Sequence, residues 1–175
     1  MITQTSLTVK EIQQGIYQLY KKEKGYKYFS FNSFGLGEFE ADMLAIHPEN
    51  NFCVEFEIKR SKTDYLKDFN KKNKHSLLKA GKYVANQFYF VCEAGVLKPA
   101  DIPRHLGLIT IEKIITYDTV TKNSITKKSK RKIFYDVAIV KKAKVLHQRS
   151  FPTHLMLKIL TTVMNKYLNE KFVQK

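Results

Sequence analysis

Residues 52–59, Phe-Cys-Val-Glu-Phe-Glu-Ile-Lys, constrain the fold more than any other stretch of the chain. Side chains of a β-strand alternate between faces, so Phe52, Val54, Phe56 and Ile58 share one side, and Cys53, Glu55, Glu57 and Lys59 the other. The first side is wholly apolar, which predicts a central strand covered by a packed layer. The second side then carries two carboxylates into a region where a charge is costly to desolvate unless it is paired or bound to a cation. Taken alone, Glu57-Ile58-Lys59 reads equally as a surface ion pair worth about 0–1 kcal/mol.

The preceding segment changes that balance. In Glu38 to Ile46, the residues Glu38, Glu40, Asp42, Leu44 and Ile46 share a face, opposite Phe39, Ala41, Met43 and Ala45. If this strand pairs with the next through the turn His47-Pro48-Glu49-Asn50-Asn51, parity allows Asp42 to lie near Glu57 and Lys59. An Asp and a Glu converging from neighbouring strands suit Mg²⁺ or Mn²⁺, hard ions that take oxygen ligands and keep several waters. Such a metal lowers the pKa of a bound water and neutralises charge developing on a scissile phosphate. Lys59 would sit on the same side to orient that water or stabilise the transition state. Glu38, Glu40 and Glu55 read either as further site acids or as edge-exposed charges.

Around these two strands the chain reads as one α/β domain over residues 1–175, with a core about 8–111 and a basic extension about 112–175. Thr8-Val9-Lys10-Glu11 is a capping box that opens a helix with apolar positions Val9, Ile12, Ile16, Leu19 and Tyr20, and Gly25 stops it. Strand-like stretches are Tyr26 to Phe34, Glu38 to Ile46 and Phe52 to Lys59, an antiparallel meander. Ser61 caps a second helix that runs to about Lys79. Gln87 to Cys92 is a buried strand, and Gly107 to Ile111, Ile114 to Tyr117 and Ile133 to Val140 are shorter ones, with a loop-like stretch before the last. Pro152 opens a terminal helix whose broad apolar face is Leu155, Met156, Ile159, Leu160, Val163, Met164 and Tyr167.

Charge indicates the partner. Thirty-one Lys and Arg against 16 Asp and Glu leave a formal +15, a surplus that favours a polyanion through phosphate contacts and counterion release. DNA leads and RNA shares the chemistry. A membrane surface is disfavoured, because no helix joins a basic face to an exposed Trp/Phe/Leu face. Cys53 and Cys92 lie in apolar runs with no metal-ligand spacing and read as buried free thiols. Residues 1–10 read as no secretion signal, and no apolar run approaches membrane-spanning length, so an intracellular, cytoplasmic protein is expected.

With these residues in hand, Ala41-Asp42 followed by Glu55-Phe56-Glu57-Ile58-Lys59-Arg60-Ser61 resembles the PD-(D/E)xK nuclease signature. Ser61 to Phe69, Phe88-Tyr89-Phe90-Val91 and Gly107-Leu108-Ile109 are similar to the MmcB-like DNA repair branch and related phage proteins. The resemblance covers roughly residues 38 to 111. It implies a restriction-endonuclease-like αβββαβ core, with a mixed sheet flanked by helices and a C-terminal strand and helix as extension, in a bacterial or phage-encoded protein. It implies Asp42 and Glu57 as metal ligands, Lys59 as the catalytic lysine, and the backbone carbonyl of Ile58 in the metal shell. Ala41 stands where the family's nominal proline would be. Many members also use an acid from the first helix, and Glu11 is the natural candidate, although its capping role explains it equally well.

Two further patterns bear on nucleic acid. Asp64, Asp68, Lys71 and His75 form one stripe of the second helix, which either overlooks the site or is a solvated face. The run Lys127-Lys128-Ser129-Lys130-Arg131-Lys132, close to Phe134 and Tyr135, suits phosphate contacts and base stacking. The expected function is Mg²⁺- or Mn²⁺-dependent hydrolysis of DNA, in repair or phage DNA processing. The alternatives are a non-cleaving DNA-binding accessory protein on the same fold and a basic RNA-binding structural protein. A homodimer is compatible with the first, since nucleases that cut two strands often pair.

Overall fold

Thr8 caps α1 (Val9–Lys22) as the sequence predicts. Its hydroxyl accepts from Glu11 N at 3.2 Å, and Glu11 Oε2 accepts from Thr8 N at 2.8 Å. The computed structural model describes residues 6–36, 39–69, 73–122 and 125–172, with the side chains at 33–36, 39, 117–122, 125–131, 166, 170 and 172 outside that description. After α1 come β1 (Tyr28–Leu36), β2 (Phe39–Ile46) and β3 (Cys53–Ile58), then α2 (Lys62–Asp68), α3 (Lys74–Lys79), β4 (Gln87–Glu93), β5 (Gly107–Lys122), β6 (Ile125–Lys141) and α4 (Thr153–Phe172). The strands form one six-stranded mixed sheet in the order β1-β2-β3-β4-β5-β6. The first three are the expected antiparallel meander, β3, β4 and β5 run parallel, and β6 returns antiparallel. Helices flank the sheet, and the fold is mixed α/β.

The alternation read from β3 divides the core. Val54, Phe56 and Ile58 pack with Met43, Ala45, Val91 and Ile109 beneath Ile12, Ile16 and Tyr20 of α1. The opposite face packs Leu44, Ile46, Phe88, Phe90 and Leu108 with Tyr65 of α2 and Leu78 of α3. Every residue of β3 is buried, as its two-sided covering requires. Cys53 and Cys92 are buried free thiols.

Two expectations are corrected. The helix predicted to run from Ser61 to Lys79 is two helices, because Asn73 adopts a left-handed conformation (φ 69°) that no continuing helix tolerates. Asp64, Asp68 and His75 therefore do not share one helix face. The short strands predicted at 107–111 and 114–117 are one strand, and the loop-like stretch before Ile133 belongs to β6. Beyond Ile111, β5 has no β4 partner and pairs with β6 alone, as far as Lys122↔Ile125. The two strands continue as a ribbon held by a backbone ladder that any non-proline residue can join, so a run rich in lysine and threonine does not mark it. The terminal helix forms as expected, and among its described residues Leu155, Met156 and Ile159 pack against the core while Leu160, Val163, Met164 and Tyr167 are exposed.

Buried Asn86 ties the segment after β6 to the sheet. Its Oδ1 accepts from Cys53 N at 2.8 Å, and its Nδ2 donates to the carbonyls of His147 at 3.0 Å and Arg149 at 2.7 Å. Gly81 (φ 64°) lies so close to the same segment that a Cβ there would meet Leu146 O at 2.6 Å. Among the described residues, no helix is long and apolar enough to cross a membrane.

Glu11 fixes α1 to the sheet's other end by pairing with Lys113 of β5. The Lys113 ammonium and the Thr8 backbone N–H hold its carboxyl down at about 2. A carboxyl with a depressed folded pKa contributes stability above its unfolded value, and that stability is lost as pH falls through the folded one. We expect Glu11→Gln to cost about 1 kcal/mol in urea unfolding at neutral pH, a cap-sized effect discounted for solvent screening. The difference from wild type narrows between pH 4.5 and about 2. A deficit independent of pH would contradict this assignment.

Candidate functional site

The register of β2 and β3 decides whether the sequence-predicted residues meet. Met43 pairs with Phe56 and Leu44 with Glu55, so one step further along the same register Asp42 falls opposite Glu57. Asp42 is half-buried, and its Oδ2 accepts from Ile58 N at 2.7 Å. The N–H and C=O of one strand residue project to the same side, so the Ile58 carbonyl faces Asp42 as well. The backbone carbonyl of Asp42 accepts at 2.9 Å from Gln13 Nε2 of α1, which also donates to Asn32 Oδ1 at 3.2 Å.

Beneath this edge lies a buried cluster of charge. Lys59 Nζ donates to Glu57 Oε1 at 3.0 Å and to Asp68 Oδ1 at 2.9 Å. Lys74 Nζ donates to Glu57 Oε2 at 2.9 Å and forms an ion pair with Glu55 Oε1 at 2.9 Å. Asp68 Oδ2 meets His75 Nε2 at 2.9 Å, and Tyr83 Oη donates to Glu55 Oε1 at 3.3 Å. Glu55, Glu57, Lys59, Asp68 and Lys74 are all buried. Three carboxylates thus alternate with two ammonium groups, the arrangement that burial of either sign demands.

Burial shifts these groups in ways that depend on their partners. It pushes the Glu55 carboxyl up, against the pull of Lys74. Glu55 Oε2 has no hydrogen-bond partner among the described residues, which agrees with that direction. For Lys74, burial opposes the charged form, but the Glu55 and Glu57 carboxylates outweigh it and hold the ammonium above its ordinary value. Burial and the Glu55 charge push the Tyr83 hydroxyl up, so it stays a donor.

The structure brings Asp42, Glu57, Lys59 and Ile58 together and adds Glu55 beside them. Glu40 is exposed on β2, outside this cluster. Glu11 is engaged by Thr8 and Lys113 on the α1 face of the sheet, and the residue of α1 that reaches Asp42 is Gln13. His75 stacks on Phe69 at 4.2 Å and is half-buried against Asp68. Lys132 is exposed at the base of the ribbon. Glu38 and Lys71, and the side chains of Lys127, Lys128, Lys130 and Arg131, lie outside the described residues, although the backbone of 127–131 belongs to β6. Among the described residues, no three His, Cys, Asp or Glu side chains are grouped to hold a metal. Asp42 and Glu57 would need the Ile58 carbonyl and water to complete a shell, which suits a cation that retains its waters.

Sequence reading missed Gln13, Lys74 and Tyr83. A lysine in a helix is solvated by default, and only its long-range partners mark Lys74 as buried. The one available signal was Glu55, whose charge on a central strand demanded a counter-ion.

The sequence matches no protein-family model and no curated relative. In three dimensions it resembles the SPO1766 protein of unknown function from Silicibacter pomeroyi. The TM-score is 0.60 at 15% identity, over 93% of this chain and 90% of that one. The likeness is one of fold.

Removing one member of the cluster leaves a buried charge uncompensated. We expect Lys74→Ala to cost about 3–5 kcal/mol in urea unfolding, and Lys74→Met combined with Glu55→Gln to recover a large part of it. An unchanged midpoint for Lys74→Ala would show that Lys74 does not hold these carboxylates.

Proposed function

We propose that the chain is a metal-dependent nuclease acting on DNA, with a restriction-endonuclease-like core of the PD-(D/E)xK type and nearest in kind to the MmcB-like and phage-related branch. The observation that carries this reading is the 2.7 Å hydrogen bond from Ile58 N to Asp42 Oδ2, which brings Asp42 to the strand that carries Glu57, with Lys59 two residues further on and buried with Glu57. The order of helix, three-stranded meander, helical segment and parallel strand supports it. The oxygen donors of Asp42, Glu57 and Ile58 suit Mg²⁺ or Mn²⁺ in kind. When bound, such an ion supplies a Lewis acid and a water of lowered pKa. Lys59, fixed between Glu57 and Asp68, supplies a positioned positive charge beside the reacting phosphate. The formal +15 charge and the lysine-rich β5–β6 ribbon supply the attraction to DNA inside the cell.

One observation favours a second reading. Both carboxylate oxygens of Glu57 are held by lysines, Oε1 by Lys59 and Oε2 by Lys74. A cluster closed in this way also serves as the structural centre of a DNA-binding accessory protein that does not cut.

Incubation with single-stranded, duplex and branched DNA in Mg²⁺ or Mn²⁺ separates the two readings. The nuclease reading expects cleavage of at least one substrate, reduced about 100-fold or more in Glu57→Gln and Lys59→Ala variants that remain folded. If wild type cuts nothing while all three proteins bind DNA alike, the enzymatic reading fails and the accessory protein stands.

A further inference from the structure

A groove of about 500 Å³ lies between α1 and β1, lined by Lys10, Gln13, Gln14, Tyr17 and Phe31. Two of its features are unusual for an idle surface. Phe31 is 44% exposed, although it sits on the same face of the sheet as the buried Met43 with which it pairs. Next to it, Asn32 holds a left-handed backbone conformation (φ 49°) within a strand, a strain that the surrounding structure must maintain. Asn32 is held by Gln13 Nε2, the same nitrogen that donates to the Asp42 carbonyl. Gln13 therefore lines the groove and touches the candidate site at once. Tyr17 is braced edge-on by Phe29 at 4.8 Å, with Lys21 Nζ 5.0 Å from its ring centre.

We propose that this groove binds unpaired nucleotides of a DNA strand, with Phe31 and Tyr17 as stacking surfaces and Lys10 as a phosphate contact. The proposal deepens the DNA reading of the site and rests on it, but it does not require cleavage. Every base offers a π-face to an aromatic ring, and stacking tolerates any sequence. The exposed Gln14 amide matches the donors and acceptors of a base edge. An apolar peptide would cover the rings but leave the exposed Gln14 amide without a partner, at a cost. An acidic peptide would answer Lys10 and leave Phe31 exposed. Unpaired bases on a phosphate backbone satisfy the rings, the Gln14 amide and the Lys10 ammonium together. The substrate class implied is DNA with a single-stranded portion, such as a flap, gap or frayed end, beside the Asp42–Glu57 edge.

Fluorescence anisotropy in EDTA tests this with labelled oligo-dT and a blunt duplex, using wild type, Phe31→Ala and Phe31→Trp. Phe31 is exposed, so its truncation should spare the fold, and circular dichroism checks that. We expect Phe31→Ala to weaken oligo-dT binding about tenfold while duplex binding changes less than about twofold, and Phe31→Trp to bind as wild type does. Photocrosslinking of an oligonucleotide bearing 5-iodouracil should label the peptide containing Tyr17 or Phe31. Equal oligo-dT affinity for wild type and Phe31→Ala, or crosslinks only elsewhere, would overturn the groove assignment and leave the nuclease reading intact. Wild-type binding to neither DNA would overturn both. Single-strand binding through Phe31 with no cleavage of any substrate would uphold the groove and remove the enzymatic reading.

Discussion

Two ammonium groups, from Lys59 and Lys74, stand between three carboxylates beneath the centre of the sheet, and the rest of the architecture is arranged so that they can be there. Lys59 continues β3 itself, Asp68 ends α2, and Lys74 opens α3. The break at Asn73 is what lets the chain present Asp68 and Lys74 from two separate short helices to the same strand face. Desolvating any one of these charges alone would cost several kcal/mol. Their mutual pairing therefore fixes α2 and α3 over β3 more specifically than apolar packing would. The neighbouring Phe88 and Phe90 rings lie 5.0 Å from Lys74 Nζ and 6.0 Å from Lys59 Nζ, and they wall the cluster from water.

The opposite face is organised by different physics. There α1 packs an apolar layer onto Val54, Phe56 and Ile58, anchored at one end by its capping box and the Glu11–Lys113 pair. The two faces meet at the edge where Gln13 reaches round to the Asp42 backbone. Asp42 is thus held from both sides, by an amide of α1 at its carbonyl and by the Ile58 N–H at its carboxylate. This edge is where the sheet's polar face opens, and the proposed chemistry and the proposed nucleotide groove both border it.

What the sequence made legible follows from where burial imposes a pattern. β3 and β2 alternate because they are packed, so their faces, their turn and the approach of Asp42 to Glu57 could be read from parity. The capping box at Thr8 and Glu11 was legible because it is local, yet locality also misdirected attention to Glu11, when the side chain that reaches Asp42 is Gln13. Lys74 was invisible for the opposite reason. Its role depends on ion pairs with Glu57 and Glu55, 17 and 19 residues away, and nothing in Lys74-His75-Ser76 marks a buried cation. The β5–β6 ribbon escaped because its ladder is made of backbone bonds that leave no mark on the sequence, and its lysines and threonines resemble a loop. The exposed outer face of α4 likewise looks like core in a pattern, since apolar spacing reports amphipathicity but not whether a partner surface exists.

The central claim is that the Asp42–Glu57 edge accepts a divalent cation although lysines already hold Glu57. The most direct measurement is an anomalous difference map from crystals soaked in Mn²⁺. The account predicts a peak within coordination distance of both the Asp42 and Glu57 carboxylates, with the Ile58 carbonyl turned toward it and Lys59 or Lys74 withdrawn from one Glu57 oxygen. A map with no peak there, and with Glu57 still bridged by both lysines at saturating Mn²⁺, would contradict it and leave the cluster a purely structural device.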